Sequence, residues 1–405
     1  MKMGAEAAIV GMGDAYASSD DVKDPLQLAA EATYKAIADA GIKKTEIQSL
    51  FTGRAPWADR RPQWNNIFAS HIQLPVKLTT ELTMHGAGIN IMFGLAAQHI
   101  ATGQADYVLC LQSDATALFI DTVAVGAATD ADPQFEYPFG PIIPALYGQV
   151  ACRYMHEYGV TEDDFADIAV TQQDWGRHHP HAAKAKFGEI DRDTVLSSPY
   201  VATPLRRWMC STWGGGTAGA FIVTSVEKAK HVKNPVYIRG FGSCATHEYL
   251  SERMGIYEMP FAADFGVLPN LTHSGNREAA RQAYQMADMT PADIDIIQMS
   301  ANFSHMALLI LEDLGFAEKG KGIDLYREGR IGPGGDLPCD TNGGWLSFGQ
   351  PGISCDMDTI VEGVRQLRGE ALGLQVPDVP KTAILQGAGG MMACNGVTIL
   401  STEAA

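Results

Sequence analysis

The sequence predicts an α/β fold in which one unit of helices and strands occurs twice. Helical and strand-like segments alternate along the chain, and two glycine-rich segments in its first part have counterparts near its end. The 42 glycines among 405 residues favour tight turns and close backbone approaches over a helical bundle. A chain of this length can form two hydrophobic cores.

Helices and strands follow one another in an order that favours a layered structure. Helical stretches are predicted at residues 24–41, 89–103 and 303–315, and strand-like apolar runs at residues 105–114, 217–225, 235–243 and 396–401. This alternation predicts helices packed on the faces of a central sheet.

An internal repeat indicates duplication. Residues 86–114 and 349–390 both begin with a glycine-rich turn and a Gly-Ile dipeptide, continue through one helix and enter an apolar strand. The glycine-rich segment 214–225 has a counterpart at 387–401. One copy of each pair lies in each half of the chain, which favours a duplicated unit over chance matches in a glycine-rich chain.

The segment 116–200 interrupts the alternation and is rich in proline, histidine, glycine and aromatic residues. Long insertions of this kind are typical of lids and binding loops, and a surface excursion with oligomer contacts is an equal alternative. We therefore predict an N-terminal half at 1–115 that returns at 201–230, an insertion at 116–200 and a C-terminal half at 231–405.

Charge and composition exclude several classes of protein. The formal net charge of −17 repels polyanions, so nucleic acid is not expected as a partner. No run of eighteen apolar residues and no signal-peptide pattern occurs, so we expect no membrane association and a cytoplasmic location. The cysteines form no CxxC pair and are expected to be buried or free thiols in a reducing compartment; they are Cys110, Cys152, Cys210, Cys244, Cys339, Cys355 and Cys394.

Four motifs, in the same order along the chain, resemble those of one enzyme family. They are HGAGIN (85–90), NGGWLSFGQPG (342–352), LRGEALGLQVPDV (367–379) and GAGGMMACNGVTIL (387–400). Together with the duplication, they are similar to the thiolase superfamily, closest to the sterol-carrier-protein-type thiolases, over nearly the whole chain. The resemblance implies a duplicated five-layer αβαβα thiolase fold with an inserted loop domain. It also implies coenzyme A as a substrate, no covalently bound cofactor, and a homodimer whose insertion helps to cover the CoA.

The chain departs from the family at its catalytic positions. His85 stands at the position of the acyl-accepting cysteine, and residues 300–303 (Ser-Ala-Asn-Phe) align with the family's His-Asp-Cys-Phe loop. Gln350 replaces the histidine of Gly-His-Pro, and Gly387 aligns with a proton-shuttling cysteine. Asn342, which the resemblance implies is an oxyanion-hole residue, is retained.

His85 is the first candidate catalytic residue. An acyl-imidazole hydrolyses readily, so we interpret His85 as a general base or hydrogen-bond donor rather than a nucleophile. It lies at the start of a helix expected at 86–102, whose positive dipole end disfavours protonation of an imidazole. The alternative is a structural histidine that caps the turn.

Amide and backbone donors form the second group of candidates. Asn302 and Asn342 can stabilise an oxyanion or enolate without changing protonation, whereas turn capping is the structural alternative. The N–H groups of Gly389 and Gly390 can form a second oxyanion hole, or only a tight turn. Gln350 is expected to preserve the hydrogen bonds that the histidine of Gly-His-Pro makes in the family. Ser300 and His305 are weaker candidates.

Basic residues in and near the insertion form a candidate site for the phosphates of CoA. The predicted residues are Arg177, His178, Lys184, Lys186 and Arg206, with His179, His181 and Arg207 nearby; a solvated helix face is the alternative. The histidines at 178–181 lack a carboxylate or cysteine at ligand spacing, so no metal is expected. Arg60 and Arg61, beside Trp57 and Trp64, could bind a carboxylate and an aromatic group, but a structural role on the surface is favoured for them.

Three functions fit this pattern. The first is thiolase-type cleavage or formation of a carbon–carbon bond in a β-ketoacyl-CoA without an acyl-cysteine, as the resemblance to benzoylsuccinyl-CoA thiolase implies. The second is a retro-aldol lyase acting on a β-hydroxyacyl-CoA, as in steroid side-chain aldolases. The third is a non-catalytic thiolase-like subunit that acts as a scaffold or binds acyl-CoA. For the two enzymatic functions, the resemblance implies a small zinc-finger/OB-fold partner subunit and a role in lipid or aromatic degradation.

Overall fold

The computed structural model describes residues 7–119, 131–251, 253 and 270–404. Its strands are β1 (Ala7–Ala17), β2 (Ser49–Gly53), β3 (Leu78–Leu82), β4 (Tyr107–Asp114), β5 (Tyr200–Ala202), β6 (Leu205–Arg206), β7 (Gly216–Ser225), β8 (Val236–Ala245), β9 (Ile296–Gln298), β10 (Thr382–Gly389) and β11 (Cys394–Ser401). Its helices are α1 (Pro25–Ala40), α2 (Trp64–His71), α3 (His85–Ala101), α4 (Thr116–Phe119), α5 (Ile143–Tyr158), α6 (Glu162–Gly176), α7 (Arg192–Ser197), α8 (Val226–Ala229), α9 (Asn276–Ala287), α10 (Ser304–Asp313), α11 (Gly322–Arg327), α12 (Gly344–Ser347) and α13 (Cys355–Arg368).

The main sheet of the described residues has two halves with the same order of strands. The order is β3-β2-β4-β7-β1-β8-β11-β10-β9, and β1 meets β8 through only two residue pairs. In each half a parallel pair (β2 with β4, β9 with β10) continues into antiparallel strands. Ile297 also pairs in parallel with Cys339, as β2 does with β3.

Helices form three layers around the two half-sheets. Helix α1 packs on β1 and β7, helix α9 packs on β8 and β11, and helices α3 and α13 contact strands of both halves. The layers therefore follow the order αβαβα, and the predicted duplicated thiolase-type fold is confirmed. Helix α3 is buried on all sides from Gly86 to Phe93, as expected for a helix in the central layer.

Glycines on two strands let the outer helices lie directly on the sheet. A Cβ on Gly11 or Gly13 would overlap the backbone of α1, and a Cβ on Gly240 or Gly242 would overlap the backbone of α9. The two halves of the fold therefore have the same Gly-x-Gly motif at equivalent positions of β1 and β8. This close approach fixes the outer layers and leaves the central layer to form the site.

The insertion forms more regular structure than the sequence indicates. Helices α5, α6 and α7 and the β5–β6 hairpin follow β4, and α6 packs against α10, α11 and α12 of the second half. Residues 120–130, which fall within the predicted insertion, lie outside the described residues. The domain boundaries proposed above stay a prediction.

In the described part of the chain, no helix combines the length and apolar character that crossing a bilayer requires.

Candidate active site

A cavity of about 430 Å³ lies between the start of α3, the insertion and the loops of the second half. Its lining includes the candidate residues His85, Lys184, Ser300, Asn302, Gln350, Gly389 and Gly390. Residues that are far apart in sequence meet here because α3 and α13 share the central layer. This cavity is the candidate active site.

His85 begins α3 and faces the cavity. Its backbone is left-handed, with φ of 47°, which turns the chain sharply into the helix. Burial, with a smaller contribution from the Arg54 cation, lowers the pKa of the His85 imidazole to about 4. The imidazole is therefore neutral at pH 7 and can accept a proton.

Asp356, which the sequence reasoning did not single out, lies against the same turn. It is in the first turn of α13, is 3% exposed and lines the cavity. A Cβ on Gly86 would overlap its carboxyl group, so only glycine leaves room for that group. Burial raises the pKa of the Asp356 carboxyl to about 7, although the hydroxyl of Ser300 donates a hydrogen bond to it. Asp356 is an acidic residue in a helix of buried residues, and this helix begins directly after the Gln350 loop. These two features are the signal by which Asp356 could have been identified.

The loops that carry Asn302 and Gln350 are joined through Ser211. The backbone N–H of Ser211 donates to the carbonyl oxygen of Asn302 at 2.8 Å, and its hydroxyl donates to Oε1 of Gln350 at 3.0 Å. The N–H of Gln350 donates to the carbonyl oxygen of Thr212 at 2.7 Å. Segment 210–213 thus fixes two predicted donors at one side of the cavity.

The glycine turn after β10 closes against the start of α3. A Cβ on Gly389 would lie 2.5 Å from the carbonyl oxygen of Met84 and 2.8 Å from Cβ of His85. Gly390 has a left-handed φ of 60°. The absence of a side chain at Gly389 therefore allows the turn to touch the His85 segment, and Gly390 allows the left-handed backbone of the turn. The oxyanion hole assigned to their N–H groups stays a prediction.

Asp114, at the end of β4, anchors two segments of the cavity wall. Its carboxylate accepts hydrogen bonds from the N–H of Trp57 at 2.9 Å and from that of Ile353 at 3.1 Å. Trp57 and Ile353 both line the cavity. Asp114 is a positioning residue that the sequence reasoning missed.

Other predicted residues lie outside the cavity lining. Asn342 accepts a hydrogen bond from the N–H of Gly344 at 2.9 Å, as in turn capping. Arg177 pairs with Asp174 at 2.8 Å, and Arg206 pairs with Glu162 at 2.9 Å. His178 and Lys186 are exposed, and His305 is fully buried among aromatic rings. Of the predicted CoA-phosphate cluster, only Lys184 and the neighbouring Arg207 line the cavity; the role assigned to the cluster stays a prediction.

The thiols in the cavity wall are poor nucleophiles. Cys210 and Cys355 line the cavity, and all seven cysteines are free. Burial raises the pKa of the Cys210 thiol to about 12 and raises that of Cys355 well above its usual range. Neither sulfur is a thiolate near neutral pH.

Metal-ligating side chains do not gather in the described part of the chain, where no group of three His, Cys, Asp or Glu residues is placed to hold an ion.

A family model described as "Thiolase C-terminal domain-like" matches residues 263–402. The chain is 32% identical to 17-hydroxy-3-oxo-4-pregnene-20-carboxyl-CoA lyase of Mycobacterium tuberculosis over 381 residues, which is 91% of this chain and 92% of the relative. It is 29% identical to acetyl-CoA acetyltransferase of Methanothermobacter thermautotrophicus (90% and 91% covered) and 30% identical to benzoylsuccinyl-CoA thiolase subunit BbsB of Thauera aromatica (73% and 72% covered). Among solved structures, the Ltp2-ChsH2(DUF35) aldolase superposes with a TM-score of 0.81 at 26% identity, over 99% of both chains.

Proposed function

The chain is an enzyme of the thiolase superfamily, and from that premise we propose that it cleaves a carbon–carbon bond of a β-hydroxyacyl-CoA by a retro-aldol reaction. No acyl-enzyme forms in this reaction. The products are a shortened acyl-CoA and an aldehyde or ketone. The similarity to a lyase and to an aldolase, each over more than nine-tenths of the chain, supports this choice.

The observation that carries the proposal is the neutral His85 imidazole at the turn that opens α3. A thiolase reaction through an acyl-enzyme needs a thiolate that is both nucleophile and leaving group. Here the turn offers a base instead, and the thiols of the cavity wall have raised pKa values. A retro-aldol step needs only a base for the β-hydroxyl and donors for an enolate.

The reaction begins when His85 takes the proton of the β-hydroxyl group. The Cα–Cβ bond then breaks, the β-carbon becomes a carbonyl, and the electron pair moves to Cα and the thioester oxygen. Asn302 and the amides of the Gly389–Gly390 turn stabilise that enolate oxygen, where one lost donor typically costs about 3 kcal/mol of barrier.

Asp356 completes the reaction as the acid. Its carboxyl is partly protonated near pH 7, so it can give a proton to Cα of the enolate and yield the acyl-CoA. The proton held on His85 then returns to Asp356 through solvent. A neutral base and a protonated acid thus work at the same pH because burial moves their pKa values in opposite directions.

We further propose that the enzyme works as a homodimer with a small DUF35-type, zinc-finger/OB-fold subunit. The name of the solved aldolase joins Ltp2 to ChsH2(DUF35), and the Thauera relative is named as a subunit. Co-expression with a DUF35 protein, followed by light scattering of the purified complex, tests both parts. A monomer that retains full activity alone would contradict them.

Two assays test the reaction. Incubation with a β-hydroxyacyl-CoA should release an aldehyde or ketone together with a shortened acyl-CoA. Incubation with a β-ketoacyl-CoA and free CoA should release nothing. If only the second assay gives new acyl-CoA, the retro-aldol proposal is wrong.

Thiolysis by CoA itself is the second candidate. Its support is the similarity to an acetyl-CoA acetyltransferase and to a thiolase subunit. In that reaction His85 would take the proton from the thiol of CoA, and the sulfur would attack the β-carbonyl directly. Silence in both assays, with the partner present, would exclude both reactions and leave a scaffold.

A further inference from the structure

Lys184 is a buried cation in the cavity wall. It follows α6 in the insertion and is 8% exposed, and it lines the same cavity as His85. Among the described residues, none accepts a hydrogen bond from its ammonium group. A buried charge without a hydrogen-bond partner is costly, so such a group indicates a ligand that arrives with the substrate.

Two backbone hydrogen bonds and one aromatic ring hold Lys184 in this position. Its backbone N–H donates to the carbonyl oxygen of Ser347 at 3.1 Å, and its carbonyl oxygen accepts from Nε2 of Gln173 at 3.1 Å. The ammonium lies 4.7 Å from the centre of the Trp208 ring, which stabilises a cation through its face. The side chain is therefore oriented before any substrate binds.

Charge in the cavity favours an anion beside Lys184. Arg207 is the second cation of the lining, and the carboxyl of Asp356 already accepts a hydrogen bond from Ser300. Burial lowers the pKa of the Lys184 ammonium to about 8, and a bound anion would oppose that effect. The rest of the protein is strongly acidic, so these two cations form a local exception.

We propose that Lys184 binds a carboxylate carried by the acyl group, so that the substrates are CoA thioesters of acids with a second carboxyl group. The inference rests on the proposed function only in taking this cavity as the site of the acyl group. A carboxylate is compact and has one charge, so it can enter a buried position and accept hydrogen bonds from an ammonium. Arg207 is exposed and better placed for a hydrated CoA phosphate.

Binding of two four-carbon thioesters tests this without requiring turnover. Succinyl-CoA and butyryl-CoA differ mainly in the terminal carboxylate, and calorimetry gives a Kd for each. The wild type should bind succinyl-CoA at least about tenfold more tightly than butyryl-CoA, as expected for one charge-assisted hydrogen bond. Lys184→Met should abolish that ratio, whereas Lys381→Met, at an exposed lysine paired with Glu403, should preserve it.

Free CoA distinguishes the two sources of an anion. If Lys184 instead contacts a CoA phosphate, Lys184→Met will weaken CoA, butyryl-CoA and succinyl-CoA by the same factor, and the proposal is wrong. A wild type without preference for succinyl-CoA also overturns it. If the wild type prefers succinyl-CoA and Lys184→Met does not, but the retro-aldol assay fails, the proposed reaction is wrong and the carboxylate site remains supported.

Discussion

His85 and Asp356 face one cavity from the first turns of two helices of the central layer. A helix N-terminus favours a neutral imidazole and an ionised carboxylate. Burial acts in the same direction on His85 but against the dipole on Asp356, and it prevails there, because the pKa of that carboxyl is raised to about 7. Near pH 7 the cavity therefore holds an unprotonated imidazole beside a partly protonated carboxyl group, which is the pair that the proposed reaction uses.

Replacing His85 with asparagine should remove the base without breaking the turn. Asparagine tolerates the left-handed backbone that His85 adopts, so the fold should survive. We expect kcat/KM for cleavage of a β-hydroxyacyl-CoA to fall about 100-fold or more, because a positioned general base typically contributes at least that factor. Thermal unfolding and CoA affinity should stay close to wild type. An unchanged rate in a folded variant would remove His85 from the mechanism.

The pH profile of the reaction should report both groups. Cleavage requires neutral His85, whose pKa is about 4, and protonated Asp356, whose pKa is about 7. The rate should therefore be highest between these values and decline as the pH rises above about 7. In Asp356→Asn the rate should be at least about tenfold lower, and the alkaline decline should disappear. An alkaline decline that persists in the variant would assign it to another group.

Among individual residues, the sequence predicted His85 as a candidate catalytic residue but did not identify Asp356. The position of His85 follows from an ordered set of motifs. The chemistry of Asp356 depends on its burial beside Gly86. That burial arises only when α13 packs against α3, and the two helices are separated by about two-thirds of the chain. The motif around Asn342 predicts a donor at the site. Its oxygen accepts a hydrogen bond from the N–H of Gly344, so only its amide nitrogen is left for that role, which stays a prediction.

Among the elements, α3 carries the site because glycines open its first turn. Gly86 leaves space for the carboxyl of Asp356, while the turn at Gly389 closes on His85 from the other side. The sequence predicted β4, β7, β8 and β11 and the duplication because apolar strand runs and glycine-rich turns recur locally, but it did not predict β2, β3 or β9. It did not predict the helices of the insertion, whose packing on α10 and α12 is a long-range contact.

Two alanine substitutions in α3 should separate the effect of steric overlap with Asp356 from the effect of helix propensity. A Cβ on Gly86 would overlap the Asp356 carboxyl, whereas a Cβ on Gly88 would lie 3.0 Å from its nearest neighbour, the carbonyl oxygen of Leu82. Gly86→Ala should therefore displace Asp356, lower the rate at least about tenfold and destabilise the protein by about 1–3 kcal/mol. Gly88→Ala gains helix propensity and should change stability by less than about 1 kcal/mol.

Rate assays and urea unfolding of both variants check this expectation. Equal effects of the two substitutions would mean that the space beside Asp356 does not matter.

Over the whole molecule, the insertion is joined to the second half through the buried Asp340. Its carboxylate accepts hydrogen bonds from the N–H of Met299 and from Nε2 of Gln172 on α6, both at 2.8 Å. Burial raises the pKa of this carboxyl to about 7. The sequence alone could not predict the link, because its two partners come from separate regions that meet only in the folded chain.

The pH dependence of stability should reveal this carboxyl in Asp340→Asn. The folded pKa lies above the unfolded value of about 3.9, so the folded state binds the extra proton and its stability falls as the pH rises towards and through about 7. Asparagine has no such proton and tolerates the left-handed backbone at this position. It loses one acceptor, so the variant should be less stable near pH 6 by about 1–3 kcal/mol.

Between about pH 6 and pH 8 the difference in free energy of unfolding between the wild type and Asp340→Asn should then shrink by roughly 1.4 kcal/mol, the value of one pKa unit. The reason is that only the wild type must ionise a buried carboxyl over this range. Urea unfolding at both pH values measures the gap. Asp20→Asn, which removes a charge at an exposed loop, should follow the wild type at each pH. If the gap for Asp340→Asn stays constant, the carboxyl is already ionised in the folded protein, and the insertion is held to the second half by a charge rather than by a proton.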